Sequence, residues 1–180
     1  VNPFLRAINP VGSIKTEVEA RAAARTGALG AFLMAAYGLV VAVIMVLTAE
    51  TYAASMRAFA PVVYGRGSEA AKMTAAMISP AWIYGLAAWG VICALGAAGL
   101  GVAQWRKLTR RIPMILGLFT VYNLLMFGLS KVHGSPLAGL MPVPLWRETL
   151  WLVVNLLQTL LLWTGLRGGR RLDALRRQSA

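Results

Sequence analysis

Two groups of polar residues interrupt the apolar runs of this chain, and their types bound the chemistry it could do. The first is Asn123, Asn155 and Gln158. Amides donate and accept hydrogen bonds without carrying charge. In an apolar setting they suit three tasks: gluing helices together, flooring a site for a quinone, lipid headgroup or small solute, or joining subunits. The second group is Glu50, Lys131, His133, Arg147 and Glu148, with acids and bases set around the chain's one histidine. These residues suit ion pairing and solvated anchoring at helix ends. The alternative is a proton-handling or substrate-binding mouth, with His133 the group that titrates near neutrality unaided. Tyr84 and Trp89 add a phenol and a flat indole face that a planar ligand such as a quinone could use.

Other chemistries lack their residues. One histidine cannot give bis-His ligation to a haem, and there is no His-x-x-x-His or paired-carboxylate pattern for zinc or di-iron. Met73 and Met77, four residues apart, are soft donors of the kind Cu(I) takes, but such a pair on an amphipathic helix reads as packing. No Gly-x-Ser-x-Gly turn, nucleotide-binding glycine loop or serine or cysteine with an identifiable base is present. Cys93 is the only cysteine, so no disulfide forms within the chain. No catalytic residue, metal or resident cofactor is expected, with bound lipid or quinone the ligand class left open.

The elements that must position these residues follow from composition. Of 180 residues, 58% are hydrophobic and 13% charged, whereas soluble domains carry about a quarter charged residues. A compact fold of this size cannot hide that much apolar surface, so a bilayer must cover part of it. A hydrocarbon core of about 30 Å needs roughly 20 apolar helical residues. Four segments qualify: 27–49, 80–102, 113–130 and 149–166. Each must be helical, because a lipid-facing backbone has no water to bond. The expected fold is all-α, a bundle of four transmembrane helices with short amphipathic external helices, and a single membrane domain over 1–180.

The connections carry their own signals. Thr16 with Glu19 three residues on fits a capping box, so a helix over 14–26 is expected to run unbroken into the first span. The external segment 50–79 reads as two short helices around a turn at Pro61 to Ser68, where Gly65 and Gly67 permit a sharp bend. The short loop 103–112 implies that the second and third spans are antiparallel neighbours. The external loop 131–148, with Pro136, Pro142 and Pro144, reads as lying along the interface. The tail 167–180 reads as basic and partly disordered, with Leu172 and Leu175 able to join a surface helix. Trp82, Trp105, Trp146 and Trp151 fall near span ends, where indole favours the headgroup level.

Charge sets the expected orientation. The net charge is +12, yet the basic residues lie between apolar runs and form no single patch, so nucleic acid is not an expected partner. The N-terminal segment, the second connection and the tail together hold thirteen Lys and Arg; the opposite connections hold five, namely Arg57, Arg66, Lys72, Lys131 and Arg147. Positive residues stay cytoplasmic, which predicts both termini inside. Fourteen Arg to four Lys, with abundant Ala and Gly, fits a bacterial inner-membrane source.

Small residues suggest how the spans pack. Gly27, Ala31, Ala35, Gly38 and Ala42 share one face of the first span, and Gly90, Ala94 and Ala98 one face of the second. Such faces let backbones approach closely, either between these two spans or along a seam to another chain. With small-residue faces and no catalytic apparatus, the expected function is a non-catalytic integral subunit or accessory protein. It would assemble laterally with other membrane chains or with itself. The alternatives are a small oligomeric transporter or channel lined by the amide layer, and a quinone- or lipid-binding enzyme subunit.

Overall fold

A computed structural model of the chain describes Asn9 and residues 12–132 and 145–178. Among them are six helices: α1 (Glu17–Leu47), α2 (Ala49–Tyr64), α3 (Glu69–Met77), α4 (Pro80–Lys107), α5 (Arg111–Val132) and α6 (Leu145–Gln178). The four longest, α1, α4, α5 and α6, are long and apolar enough to cross a membrane. The protein is an all-α multi-pass membrane protein whose outer surface meets the bilayer.

The start of α1 is fixed by the capping box read from the sequence. The Glu19 N–H donates to Thr16 Oγ1 at 3.2 Å, and the Thr16 N–H donates to Glu19 Oε2 at 3.2 Å. The helix then runs through Arg25 without a break for 31 residues, about 47 Å at 1.5 Å per residue. It stops at Thr48, whose hydroxyl donates back to the Ile44 carbonyl at 2.7 Å, and α2 begins at once. The turn after α2 is tighter than expected. Pro61 lies inside the helix, in its last turn, where it removes the one ladder bond its N–H would have made to the Arg57 carbonyl. The bend itself is made by Gly65 and Gly67, at φ +87° and +82°, values that L-residues avoid. Ser68 caps α3 and Ser79 caps α4. Ala49 and Ala53 pack with Ile78 and Ile83, which fastens the α2–α3 hairpin to the start of α4.

The long helices form a row. α1 and α6 are the central antiparallel pair, α4 lies along the far side of α1, and α5 lies on α6. α4 and α5 hardly meet, although only Leu108 to Arg110 separate them. The expectation that these two spans pack as neighbours is therefore corrected: a short loop brings two helix ends together without making their faces meet.

The tail is also corrected. α6 continues through Gln178 as one helix of 34 residues. Its Arg-rich end is held down by packing, with Leu172 buried against Ala20, Ala24, Ile14 and Leu108. The packing is close enough to exclude side chains. A β-carbon on Gly165 would fall 2.5 Å from Gly27 Cα, and one on Gly168 would strike the backbone of Ala23 and Ala24. The small-residue face of α1 is shared between partners. Gly27 meets Gly165 and Pro113, and Ala31 packs with Leu116 and Leu162, whereas Gly38 and Ala42 lie against Ala94 and Gly90 of α4.

One end of the row thus gathers the start of α1, the α4–α5 connection and the end of α6, with most of the arginines. It is called the basic end below.

Candidate functional site

The amides expected to form a layer are placed separately. Asn155 and Gln158 are buried on α6, at 5% and 3% exposure, and Asn123 is half-buried on α5. Among the described residues no hydrogen bond joins Asn123 to Asn155. The Asn155 amide donates to the Trp151 carbonyl at 2.8 Å, and Thr159 Oγ1 donates to the Asn155 carbonyl at 2.8 Å. Thr120 on α5 donates in the same way to Leu116 at 2.7 Å. These polar groups are satisfied along their own helices, the back-bonding typical of short polar side chains in helices. No cross-helix bond holds Gln158 among the described residues.

Cross-helix polar bonds occur instead at the basic end, among residues the sequence reading passed over. Thr26 Oγ1 lies 2.6 Å from Thr164 Oγ1, with the Ala23 carbonyl at 2.7 Å and the Leu161 carbonyl at 3.1 Å as the other acceptors within reach of its one proton. Gln104 Nε2 donates to the Ala24 carbonyl at 3.0 Å. All three side chains are buried. Arg25 lies 5.3 Å over the Trp105 ring, and Arg110 pairs with Asp173 at 3.5 Å. The available signal was the pair Gly165 and Gly168 matched to Gly27, Ala24 and Ala20, two small-residue faces 138 to 148 positions apart.

The second group is divided too. Lys131 Nζ sits 2.8 and 2.7 Å from the two oxygens of the Glu148 carboxylate, the ion pairing expected of this end. Glu50, exposed at the start of α2, has no ion-pair partner among the described residues. His133 lies outside the described residues. Tyr84, 48% exposed, lines a shallow trough between α1 and α4, and Trp89, 63% exposed, points away from it. Because α4 and α5 hardly meet, neither aromatic lies near Asn123.

Arg147 and Glu148 do line a cavity. A cleft of about 440 Å³ opens between α1 and α6 at the end opposite the arginines, walled by Tyr37, Val40 and Ile44 from α1, Phe127 from α5, and Trp151 from α6. The Phe127 and Trp151 rings stack at 4.7 Å between centroids, tilted by 35°. Lys131 lies 5.4 Å over the Phe127 ring while it holds Glu148, so that carboxylate is already neutralised. Arg147, exposed at the mouth, is the one lining charge without a counter-ion among the described residues. The arrangement suits an amphiphile with an apolar body and an electron-rich head. It holds no nucleophile with an adjacent base, and no cluster of metal-binding side chains occurs among the described residues.

Comparison with protein-family models, with curated proteins and with solved structures finds no match to this chain.

Proposed function

We propose that the protein is a non-catalytic integral membrane subunit that assembles laterally through the outer face of α4, against another membrane chain or a second copy of itself. The observation that carries this reading is that α4 has two small-residue faces on opposite sides. The inner one, through Ala87, Ala94 and Gly101, is buried against α1. The outer one carries Ala81, Gly85 and Ala88 on one side of an exposed Ile92 and Gly96 and Gly99 on the other, the small residues all exposed. A β-carbon on Gly85, Gly96 or Gly99 would meet nothing within 4 Å among the described residues.

On the inner face the same residue types let two backbones touch. On the outer face they leave two flat patches, parted by Ile92, in a bulky apolar surface that also includes Leu95. Lipid tails are as apolar as leucine, so helix association in a bilayer relies on close packing of such patches. The asymmetry of basic residues supports a cytoplasmic placement of both termini in a bacterial inner membrane. The transport reading loses support, because Asn155 bonds within its own helix and no hydrogen bond joins it to Asn123 among the described residues.

The test uses the open space itself. Gly96→Leu with Gly99→Leu adds side chains where the protomer has nothing to strike, so the fold should persist. Copurification of partner chains, or the dimer fraction in mild detergent, should fall at least about tenfold for a lost contact of about 1.4 kcal/mol. Unchanged association in this variant, or a wild-type protein that is monomeric and alone in native membranes, would overturn the reading.

A further inference from the structure

Two depressions on the outside of the molecule share one arginine. The first is an apolar groove of about 260 Å³ between α5 and α6, floored by Gly117 and Leu162 and edged by Leu118, Thr159 and Trp163, with Arg170 at its end. The second, about 370 Å³, lies at the basic end and is lined by Ile14, Arg167, Arg170, Arg171 and Ala174. From Thr159 to Arg170 is eleven residues of helix, about 16 Å. That length matches the hydrocarbon depth of one leaflet, half of a core of about 30 Å.

We propose that groove and pocket together bind one anionic phospholipid, with an acyl chain along the groove and the phosphate among the arginines. Among the described residues the pocket has donors without acceptors. Arg167 is occupied with the carbonyls of Asn9 and Gly12. The Arg171 Nε is buried and has no hydrogen-bond partner among the described residues. The nearby acid, Asp173, is turned to Arg110, and neither Arg170 nor Arg171 has an ion-pair partner among the described residues. A buried guanidinium N–H needs an acceptor, and a phosphate offers oxygens in the geometry that a guanidinium fork matches. Basic pockets at the ends of transmembrane helices take lipid headgroups for this reason. A zwitterionic lipid carries its own cation and fits three arginines less well. A soluble phosphate would leave the groove empty.

Native mass spectrometry of the detergent-solubilised chain with added palmitoyl-oleoyl phosphatidylglycerol or phosphatidylcholine tests this. The expected result is retention of one phosphatidylglycerol at concentrations where phosphatidylcholine is lost. Arg170→Gln with Arg171→Gln should weaken that binding about thirtyfold. Arg176→Gln with Arg177→Gln, the same charge change on the exposed last turn, should leave it within about twofold. Equal retention of the two lipids overturns the proposal, as does an equal loss in both variants, which would mean diffuse electrostatics. Displacement by equimolar inorganic phosphate overturns it by making the site one for a soluble anion. The lipid preference of the wild-type chain decides the matter even if a variant fails to fold.

Discussion

The two ends of the α1–α6 pair solve the same packing problem in opposite ways. At the basic end Gly27 meets Gly165, Gly168 abuts the backbone of Ala23 and Ala24, and Thr26 bonds Thr164 across the seam. At the other end Tyr37, Val40 and Ile44 face Leu150 and Trp151 and leave a cleft of about 440 Å³. Helix separation in a bilayer is set by the side chains between the axes. Glycine and alanine zip one end of the pair, and aromatic and branched residues prop the other apart. The zipped end also binds the α4–α5 connection, since a β-carbon on Gly169 would reach Arg110 at 3.0 Å. The difference implies a rigid anchor at one end and an adaptable surface at the other.

The most direct way to break this contrast is to insert a side chain into the zipped end. In Gly168→Leu the new β-carbon has only the α1 backbone to strike, and backbone cannot rotate away as a side chain can. Overpacking of this kind costs typically 1–3 kcal/mol, and about 3 kcal/mol is expected here because both neighbours are main chain. Reversible unfolding in mixed micelles measures it. Gly96→Leu is the matched control, with an expected change within about 0.5 kcal/mol. Equal losses in the two variants would mean that the zipped end is not the anchor.

The contrast also explains which parts of the molecule could be read from sequence. Spans and caps are local. Hydropathy marks four helices, Thr16 with Glu19 marks a start, and Gly65 with Gly67 marks a bend, each within a few residues. The end of α6 was misread because Arg170, Arg171, Arg176 and Arg177 have the composition of a solvated tail. What keeps it helical and docked is Ala20, Ala24 and Leu108, over sixty positions away in sequence. The candidate site suffered likewise. Asn123, Asn155 and Gln158 stand out because amides are rare in apolar runs, but depth along a helix does not say which way a side chain faces. Thr26 and Gln104 carry no local signal, because their partners come from α6 and α1. Of the expected site residues, Arg147 lines the cleft, whereas Tyr84, Trp89 and Glu50 lie on other surfaces.

A finer test of the anchor is the hydroxyl pair. Thr26→Val removes one partner of the 2.6 Å contact. Thr164 keeps its own bond to the Leu161 carbonyl at 2.9 Å, so its hydroxyl is not stranded. Interhelical bonds of this kind contribute about 0.6 kcal/mol on average and up to about 1.7. A double-mutant cycle with Thr164→Val should therefore give a coupling of about 1 kcal/mol. A coupling indistinguishable from zero would leave steric fit as the sole source of cohesion at the basic end.

The smallest effect is expected at the opposite end, where Lys131 and Glu148 pair across the mouth of the cleft. Both oxygens of the carboxylate are engaged, yet the side chains are 51% and 28% exposed, so water and salt screen the attraction. Exposed pairs of this kind contribute about 0.2–1 kcal/mol. Lys131→Met should lower stability by about 0.5 kcal/mol, and the loss should vanish when the comparison is made at high salt. The substitution frees the Glu148 charge beside Arg147, so a change in what the cleft binds is expected to exceed any change in unfolding. A stability loss rivalling that of Gly168→Leu would show the Lys131–Glu148 pair to be a second anchor. The molecule would then be clamped at both ends, and the cleft would be a fixed cavity between them.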